Sequence, residues 1–423
     1  MTERTAAPSR FGYRWVICGL LFFATTINYL DRQVLSILAP QLQKSLDWTE
    51  QDYAHIVFAF QCAYAFALVG AGSLIDRFGT RKGYAAFVGL WSLASMSHAL
   101  ARSAFGFGVA RFALGLTEAG NFPAAIKTVS EWFPKKERAL ATGIFNSGSL
   151  LGAVIAPALV PVIAEKFGWQ SNFLILGSLD VTWLALWWIF YRRPEDKRGL
   201  HPAELAYIQS DPEEAHSAKL RWKDLLGYRG VWAFAAGKFL SDPVWWFFLF
   251  WLPKFLCKQF GLNLTAMSLP LMFIYGVSAF GSVGGGWLSD RLMSAGWSLN
   301  ATRKSVMLVS ALAVVPVFFA AKAPGLWMAV GLISLATAAH CAWMANLFSL
   351  VSDLFPKNAV ASVTGIGGMA GSVGGMLIAL AAGWLLENTG SYYPLFVIAA
   401  SSYVLAWIVI HLLVPKIEPV SIG

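Results

Sequence analysis

Apolar segments about as long as a bilayer is thick recur along nearly the whole chain, and they constrain its fold more than any other feature. A helix of about 20 apolar residues crosses the hydrocarbon core, and it satisfies its own backbone hydrogen bonds there. Of the 423 residues, 57% are hydrophobic and only 13% are charged, whereas soluble domains carry about 25% charged residues. The sequence therefore predicts an all-α membrane protein. Its first apolar stretch is too long for a signal peptide, so we expect a retained span.

The apolar runs and the residues that interrupt them divide the chain into twelve predicted transmembrane helices. Their approximate limits are 15–42, 53–75, 83–101, 104–129, 138–164, 170–191, 229–257, 266–289, 304–322, 325–351, 359–386 and 392–414. The longest polar interval separates six spans from six, and Pro202 within it predicts the start of a short helix. We therefore expect an N-terminal six-helix bundle over 1–191, a cytoplasmic linker over 192–228 and a C-terminal six-helix bundle over 229–423.

Lysine and arginine residues are concentrated on one predicted side of the membrane. Of the 32, 22 lie at the two termini and in the loops on that same side, which predicts cytoplasmic termini by the positive-inside rule. The loops on the opposite side hold six, namely Lys44, Arg102, Lys166, Lys254, Lys258 and Lys322. This placement accounts for the net charge of +9, so the charge does not indicate a nucleic-acid partner.

Signals of enzymatic chemistry, of a metal site and of ATP binding are missing from the sequence. It contains no HExxH motif, no cluster of His and Cys, and no GxxxxGK[ST] loop. The cysteines lie in or at the edge of apolar segments without close spacing, at Cys18, Cys62, Cys257 and Cys341, as expected of packed side chains. The sequence thus predicts a protein that is not an enzyme and uses no cofactor. A membrane enzyme or a receptor is the alternative from another class.

The two halves of the chain carry related motifs in the same order, which indicates an internal duplication. GSLIDR (72–77) and GWLSDR (286–291) follow the second and the eighth span, and SEWFPK (130–135) and SDLFPK (352–357) follow the fourth and the tenth. Thr-Gly-Ile then follows each member of the second pair at the same offset. Transporters are often built from two such repeats, with the ligand site near mid-membrane between them.

The segment GSLIDRFGTRK (72–82) resembles the signature of the major facilitator superfamily between its second and third spans. That signature has a Gly, an Asp-Arg pair, a second Gly and a basic cluster, and GWLSDR is a weaker second copy. The resemblance implies a fold of two six-helix bundles. It also implies that this loop helps to latch the inner gate. The gating residues expected from the two copies are Asp76, Arg77, Arg81, Asp290 and Arg291.

Three longer segments resemble the anion:cation symporter family within that superfamily. They are INYLDRQVLSILAP, RFALGLTEAGNFPAAIKTVSEWFPKKERALATGIFNSGS and KFLSDPVWWFFLFWLPKFL. They are most similar to bacterial proton-coupled transporters of hexuronates such as galacturonate and glucuronate, and carriers of aldonates or aldarates share much of the pattern. The resemblance implies a small anionic sugar acid and protons as the transported partners. We expect a monomer in the bacterial inner membrane.

Seven charged residues lie clearly within the membrane part of predicted spans, where each costs about 2.5–3.5 kcal/mol at a helix centre. They are Asp31, Arg32, Arg111, Glu118, Asp180, Lys238 and Asp242. Arg111 and Glu118 are seven residues apart and share one face of the fourth span, in which Asn121 and Pro123 predict a perturbed helix. Burial favours the neutral form of a carboxyl, whereas a nearby arginine favours its charged form. Protonation of Glu118 can therefore depend on whether the arginine binds an anionic substrate, which couples the proton to the substrate. A permanent buried salt bridge is the alternative.

Asp31 and Arg32 are adjacent and project about 100° apart on a helix, so they do not face each other. An arginine suits a carboxylate substrate because its planar guanidinium binds both oxygens. We assign Arg32 to substrate or gate contact and Asp31 to protonation, with polar packing between helices as the alternative. The resemblance agrees, since it implies proton coupling by Asp31 and Glu118. It links Arg32 and Arg111 to gating and anion recognition.

Polar and aromatic side chains inside the spans are candidates for binding the hydroxyl groups and the ring of a sugar acid, with core packing as the alternative for each. They are Tyr29, Tyr64, Asn146, Ser149, Trp343 and Asn346, and the seventh span adds Lys238 and Trp245. Asp242 lies four residues from Lys238 and can pair with it, and we expect Pro243 to break the helix there. The small Ser149 leaves room for a ring and favours cyclic hexuronates. No partner is predicted for Asp180.

The sequence as a whole predicts a proton-coupled symporter that imports an anionic sugar acid, above all a hexuronate, by alternating access. The alternative within transport is a carrier of another organic anion, such as an aldonate, an aldarate or another carboxylate, with sodium as a second candidate for the coupling ion. Uptake under an imposed pH gradient in sodium-free buffer distinguishes the two.

Overall fold

The computed structural model of the protein describes residues 12–210 and 222–420, and within these ranges it is helical without a strand. The helices are α1 (Tyr13–Leu46), α2 (Glu50–Phe78), α3 (Thr80–Ser97), α4 (Ala104–Glu118), α5 (Asn121–Trp132), α6 (Lys135–Phe167), α7 (Trp169–Phe190), α8 (Pro202–Ile208), α9 (Trp222–Leu225), α10 (Arg229–Phe260), α11 (Ser268–Ser294), α12 (Leu299–Val314), α13 (Leu326–Leu354), α14 (Lys357–Thr389) and α15 (Tyr393–Leu413). Short 3₁₀ segments follow α3 and α12. The all-α prediction is confirmed.

Eight helical segments of the described chain are long and apolar enough to cross a membrane. They are 50–78, 135–167, 169–190, 268–294, 299–322, 326–354, 362–389 and 393–413. The other four predicted spans correspond to α1, α3, the α4–α5 pair and α10. Charges inside α1 and α10, Arg81 and Lys82 in the first turn of the 18-residue α3, and the break after α4 set these four apart.

The fourth predicted span consists of two helices rather than one. α4 ends at Glu118 and α5 begins at Asn121, so the perturbation expected around Pro123 is confirmed. A break at this point leaves the last carbonyl groups of α4 without partners in their own helix. It therefore places the Glu118 carboxyl at the end of α4, beside polar backbone.

The helix break predicted at Pro243 is wrong, because α10 continues through this residue to Phe260. A proline removes one backbone hydrogen bond of a helix and clashes with the preceding turn, but packing against a neighbour can hold the helix together. Here Gly374 of α14 lies against the ring of Pro243. The longer helix also means that Lys254 and Lys258, which we predicted for a loop, lie on α10.

Residue contacts divide the chain into two compact units. Unit 1 comprises the residues up to 34 together with 63–156 and 163–215, and unit 2 comprises 35–62, 157–162 and the residues from 216 onward. α1, α2 and α6 therefore contribute residues to both units. The division into bundles at 191 and 229 stays a prediction.

Unit 1 is held together by closely packed helices and by stacked aromatic side chains. α6 approaches α1 closely because it presents Gly148 and Gly152, where an added Cβ would collide with the backbone of α1. α3 packs along α7, and the ring centroid of Tyr84 lies 4.9 and 5.0 Å from those of Trp183 and Trp187. These contacts enclose the charged segments of α1 and α4 in the interior of the unit.

Unit 2 is built in the same way and includes the end of α1 and the start of α2. α11 packs closely on α13, since a Cβ on Gly281 or Gly285 would collide with the backbone of α13. The start of α2 is bound to α10 by the Tyr53 hydroxyl, which donates to the Phe250 carbonyl at 2.6 Å. The residues between 35 and 62 thus pack against the second half of the chain.

The predicted linker is attached to unit 1 through α8, which begins at Pro202 as predicted. The Glu204 carboxylate accepts hydrogen bonds from the backbone N–H groups of Tyr13 and Arg14, at 3.0 and 3.1 Å. It therefore caps the N-terminus of α1, where a negative charge is favourable. Arg14 also pairs with Glu137 of α6 at 2.8 Å. Residues 211–221 of the linker lie outside the described residues.

Candidate functional site

A buried ion pair between α1 and α4 is the centre of the candidate site. Arg32 Nε lies 2.5 Å from Glu118 Oε2, and the side chains are 3% and 0% exposed. We expected Glu118 to respond to Arg111, which shares its helix face. The structure instead gives Glu118 a direct partner on another helix, because α1 packs against the end of α4.

The position of Glu118 in the chain explains why it needs a cation. It is the last residue of α4 and is completely buried. Burial disfavours the charged form of a carboxyl. Asn28 of α1 faces the same carboxyl, but Glu118 Oε1 has no partner with hydrogen-bond geometry among the described residues. Arg32 therefore supplies the main compensation for the charge of Glu118.

Two tyrosines enclose the other surfaces of the Arg32 guanidinium. Its central carbon lies 4.9 Å from the ring centroid of Tyr29 and 4.7 Å from that of Tyr64. A cation over an aromatic face is stabilised by about 0.5–2 kcal/mol, more when water is excluded. Four residues predicted for the site, namely Tyr29, Arg32, Tyr64 and Glu118, thus come together in unit 1.

Arg111 lies beside this cluster and is also buried. Its Nη2 donates to the Arg32 backbone carbonyl at 3.1 Å, so the second arginine is attached to the α1 segment that carries the first. Arg32, Arg111 and Glu118 together carry one positive charge when Glu118 is charged. Asp31, which also interacts with Arg111, can offset it. The two arginines can therefore bind a further anion when one of these acids is protonated.

Asp31 has a different hydrogen-bond partner from Arg32, as the helical angle between the two residues predicts. Ser95 Oγ of α3 donates to Asp31 Oδ1 at 2.9 Å. The Asp180 carboxyl of α7 is a direct neighbour of Asp31, and Trp91 lies next to Asp180. The sequence left Asp180 without an assigned partner, because the sequence of one span does not show which residues of another span it contacts. Two carboxyl groups this close in a dry interior resist being charged together, so the pair can hold a proton.

The two predicted residues of α6 lie on a helix that contacts α1 at this level. Asn146 is exposed within the structure and Ser149 is partly exposed. The Ser149 hydroxyl donates to the Asn146 carbonyl at 2.7 Å, so its oxygen keeps free acceptor capacity. Gly152, three residues further on, lies against Tyr29. No hydrogen bond among the described residues joins Asn146 or Ser149 to Arg32, so their contact with the substrate stays a prediction.

Unit 2 carries a second polar cluster, in which Lys238 pairs with Asp242 at 2.7 Å, as predicted from their spacing. Trp245 of α10 packs against α13. Its ring is stacked on His340 of α13, with centroids 4.9 Å apart, and the His340 Nδ1 hydrogen-bonds to the Tyr403 hydroxyl at 2.5 Å. The stack holds Trp245 in one orientation.

The other two residues predicted on α13 are fully packed within unit 2. Trp343 is completely buried against Tyr403, at a ring separation of 5.6 Å. Asn346 accepts a hydrogen bond from Ser289 at 2.6 Å and donates to the Ala342 carbonyl at 3.0 Å. These contacts fit a role in helix packing, so the substrate contact predicted for both residues stays a prediction.

The predicted gating residues occupy exposed helix ends. Asp76 pairs with Lys127 of α5 at 2.7 Å, and the Arg81 guanidinium lies 4.5 Å from the ring centroid of Trp188. Arg77 is exposed, as are Asp290 and Arg291 at the corresponding end of α11. Each copy of the signature is therefore on the surface of its own unit, where it is able to form contacts that change during transport.

The internal repeat includes polar contacts that our reading of the sequence missed. Thr80 Oγ1 donates to Glu131 Oε1 at 2.6 Å. In the second half, Arg303 pairs with Asp353 at 2.8 Å, and Asp353 is the repeat equivalent of Glu131. The signal was present, because a Thr-Arg-Lys run begins at Thr80 and recurs at the same offset of the repeat.

The described residues contain no group of three or more potential metal ligands among His, Cys, Asp and Glu side chains. The ionisable residues of unit 1 are instead arranged as neighbouring acids and bases, with Glu118 on Arg32 and Asp180 beside Asp31. Such an arrangement can exchange protons and bind an anion. It offers no nucleophile with a general base beside it.

Comparison with known proteins identifies relatives along most of the chain. A sequence model of the Major Facilitator Superfamily matches residues 21–377. The hexuronate transporter of Escherichia coli K12 is 35% identical over 398 residues, which cover 92% of this chain and 91% of that protein. The galacturonate transporter of Dickeya chrysanthemi is 36% identical over 314 residues, which cover 72% of this chain and 90% of that protein.

A similarity to a solved structure concerns the fold. A bacterial homolog of the human lysosomal transporter Spinster, crystallised in an inward-facing and occupied conformation, superposes with a TM-score of 0.73. The alignment covers 95% of each chain at 19% sequence identity. At this level of identity the comparison supports the architecture and leaves the ligand open.

Proposed function

The chain belongs to the major facilitator superfamily, and from this we propose that it imports hexuronates, such as galacturonate or glucuronate, in symport with protons by alternating access. It is a multi-pass membrane transporter and not an enzyme. The proposal includes a monomer in a bacterial inner membrane with both termini in the cytoplasm. It also includes six-helix bundles over 1–191 and 229–423, joined by the cytoplasmic linker 192–228.

The observation that carries the proposal is the buried Arg32–Glu118 pair between two tyrosine rings. A hexuronate has one carboxylate, which can take the place of the Glu118 carboxylate on the Arg32 guanidinium. If Glu118 binds a proton as the substrate arrives, the buried charge is the same before and after binding. This exchange avoids the cost of adding a net charge at bilayer depth.

Coupling follows from this competition between two carboxylates. A substrate on Arg32 favours protonation of Glu118, and by linkage a proton on Glu118 favours binding of the substrate. We assign the Asp31–Asp180 pair to a second proton position, since the two carboxyl groups are direct neighbours and Ser95 of α3 binds Asp31. Arg111, which is bound to the Arg32 carbonyl, adds a second positive charge beside the Arg32–Glu118 pair.

The names of the two bacterial relatives support the choice of substrate, since one is a hexuronate transporter and the other a galacturonate transporter. Sugar hydroxyl groups need hydrogen-bond partners, and in unit 1 we assign this role to Tyr29, Tyr64, Asn146 and Ser149. In unit 2 we assign Lys238, Trp245, Trp343 and Asn346 to the substrate. The signature residues Asp76, Arg77, Arg81, Asp290 and Arg291, of which Arg81 is half-buried and the others are exposed, are proposed to act in gating.

The test is uptake of labelled galacturonate and glucuronate by proteoliposomes that contain the purified chain. In sodium-free buffer, an acidic exterior should drive accumulation, and a protonophore should abolish it. If no hexuronate accumulates under this gradient, the proposal is wrong. Accumulation of an aldonate or an aldarate instead, or a requirement for sodium, would favour the carrier of another organic anion.

A further inference from the structure

Unit 2 contains a cavity of about 560 Å³ that the proposed transport site does not use. Its wall is formed by the end of α1, the start of α2, the last turns of α10, the turn that follows α10, and Tyr392. Ligand cavities typically measure about 300–1,000 Å³, so it has room for a monosaccharide. By the orientation proposed above, it opens on the face opposite to the cytoplasm.

Positive charge predominates in this cavity. Three lysines line it, Lys44, Lys254 and Lys258, against a single acid, Glu50. Lys254 is buried and forms an ion pair with Glu50. Lys44 and Lys258 have no acidic partner within ion-pair distance in the described part of the chain. The lining residues therefore carry a net charge of +2, and Glu387, which accepts from the Glu50 backbone N–H at 3.0 Å beside the lining, offsets part of it.

Two polar groups in the wall are also left without protein partners. Tyr392 is 4% exposed, and its hydroxyl has no hydrogen-bond partner among the described residues. Gln41 Oε1 likewise has no hydrogen-bond partner in the described part of the chain. A buried polar group without a partner is costly unless water or a ligand satisfies it. The Tyr392 hydroxyl can donate to a ligand oxygen. Gln41 Oε1 can only accept, from a donor such as a sugar hydroxyl.

We propose that this lysine cavity, defined by Lys44, Lys254, Lys258, Gln41 and Tyr392, is a second binding site for a small hydroxylated carboxylate. The carboxylate binds between Lys44 and Lys258, and the hydroxyl groups reach Gln41 and Tyr392. The site holds the anion at the outer surface and raises its concentration ahead of transport. This role in uptake rests on the proposed function, whereas binding itself can be measured without transport.

Cys257 lines the same cavity and provides a reporter for it. In a chain with Cys18→Ala, Cys62→Ala and Cys341→Ala, we would compare the rates at which an anionic and a cationic methanethiosulfonate modify Cys257. At low ionic strength we expect the ratio of the anionic to the cationic rate to be about tenfold higher for Cys257 than for a free thiol in solution, because the cavity lining has a net positive charge. Galacturonate or glucuronate should slow the reaction in a saturable manner, and propionate, which lacks hydroxyl groups, should be weaker.

The variant Lys44→Gln/Lys258→Gln should remove both the preference of Cys257 for the anionic reagent and its protection by the sugar acids. The matched control is Lys166→Gln/Lys322→Gln, which removes two positive charges at helix ends outside the cavity. In transport, the double cavity variant should raise KM for uptake several-fold at low salt with kcat unchanged, and the control should not. Tyr392→Phe should weaken protection by the sugar acids more than protection by propionate, which separates loss of the hydroxyl from misfolding.

Each outcome decides one proposal. Hexuronate transport without protection of Cys257, or equal protection in the double cavity variant, would refute the lysine cavity and leave the transport function intact. Protection of Cys257 without any transport would support the lysine cavity and refute the proposed transport function. Measurements in zwitterionic and in anionic lipid distinguish a free carboxylate from a lipid headgroup. Protection that appears only with anionic lipid would overturn the sugar-acid assignment.

Discussion

Replacing Glu118 by glutamine tests the proposed coupling most directly, because it removes one negative charge and nearly preserves the shape. Glu118 Oε2 lies 2.5 Å from Arg32 Nε, and both side chains are buried. Loss of one partner of a buried ion pair costs about 3–5 kcal/mol, since the remaining charge is uncompensated. The rings of Tyr29 and Tyr64 remain over the guanidinium. We therefore expect the lower end of this range, about 3 kcal/mol of unfolding free energy.

The expected effect on transport is larger and more specific. One proton moving down a gradient of two pH units supplies about 2.7 kcal/mol, which sustains about 100-fold accumulation of a singly coupled substrate. Without a group that exchanges the coupling proton, Glu118→Gln should bring the inside and outside concentrations close to equality. Exchange of labelled for unlabelled substrate should survive, because Arg32 can still bind the substrate carboxylate.

The assay measures accumulation and counterflow in the same proteoliposomes, with Glu195→Gln as the control. Glu195 is an exposed acid of the linker, so this control removes a charge without touching the site. A thermal shift should also show that galacturonate stabilises Glu118→Gln at least as well as the unchanged protein, since the substrate supplies the missing carboxylate. Full pH-driven accumulation by Glu118→Gln would refute the role of Glu118 in coupling.

Three further substitutions examine the neighbours of this pair. Arg111→Lys keeps the charge and loses the planar guanidinium, so we expect affinity to fall about tenfold or more in a binding titration; unchanged affinity would dismiss a contact with the substrate. Asp180→Asn removes the carboxyl beside Asp31, and we expect the pH profile of uptake to shift with little change in affinity; an unaltered profile would argue against a proton position there. Tyr64→Leu should cost about 1 kcal/mol in thermal stability through loss of the ring over Arg32, whereas Tyr64→Phe should cost little; equal losses would contradict the cation–π contact.

Features that depend on neighbouring residues in the chain were predictable from the sequence. The apolar runs indicated the spans, Pro202 indicated the start of α8, and the segment around Asn121 indicated the break between α4 and α5. Pro243 shows the limit of such reasoning. Its ring is accommodated by α14, which is more than 100 residues away in the chain, so a local rule predicted a break that does not occur.

The candidate site was only partly predictable for the same reason. Tyr29, Arg32, Tyr64 and Glu118 could be selected because polar and charged side chains are costly inside apolar segments. The sequence did not show which of these side chains contact each other. The helical period suggested that Glu118 responds to Arg111, on its own helix face, whereas its direct partner is Arg32.

The amino-acid sequence alone is enough to predict a duplicated set of membrane helices with charged residues inside them, because hydrophobicity, helical period and repeat spacing are local properties. Which of those charges meet depends on the packing of distant segments of the chain. Arg32 and Glu118 are 86 residues apart in the chain, and Asp180 joins Asp31 from a different helix. Electrostatic energy depends on distances of a few ångströms between side chains, and those distances are set by the packing of one helix against another.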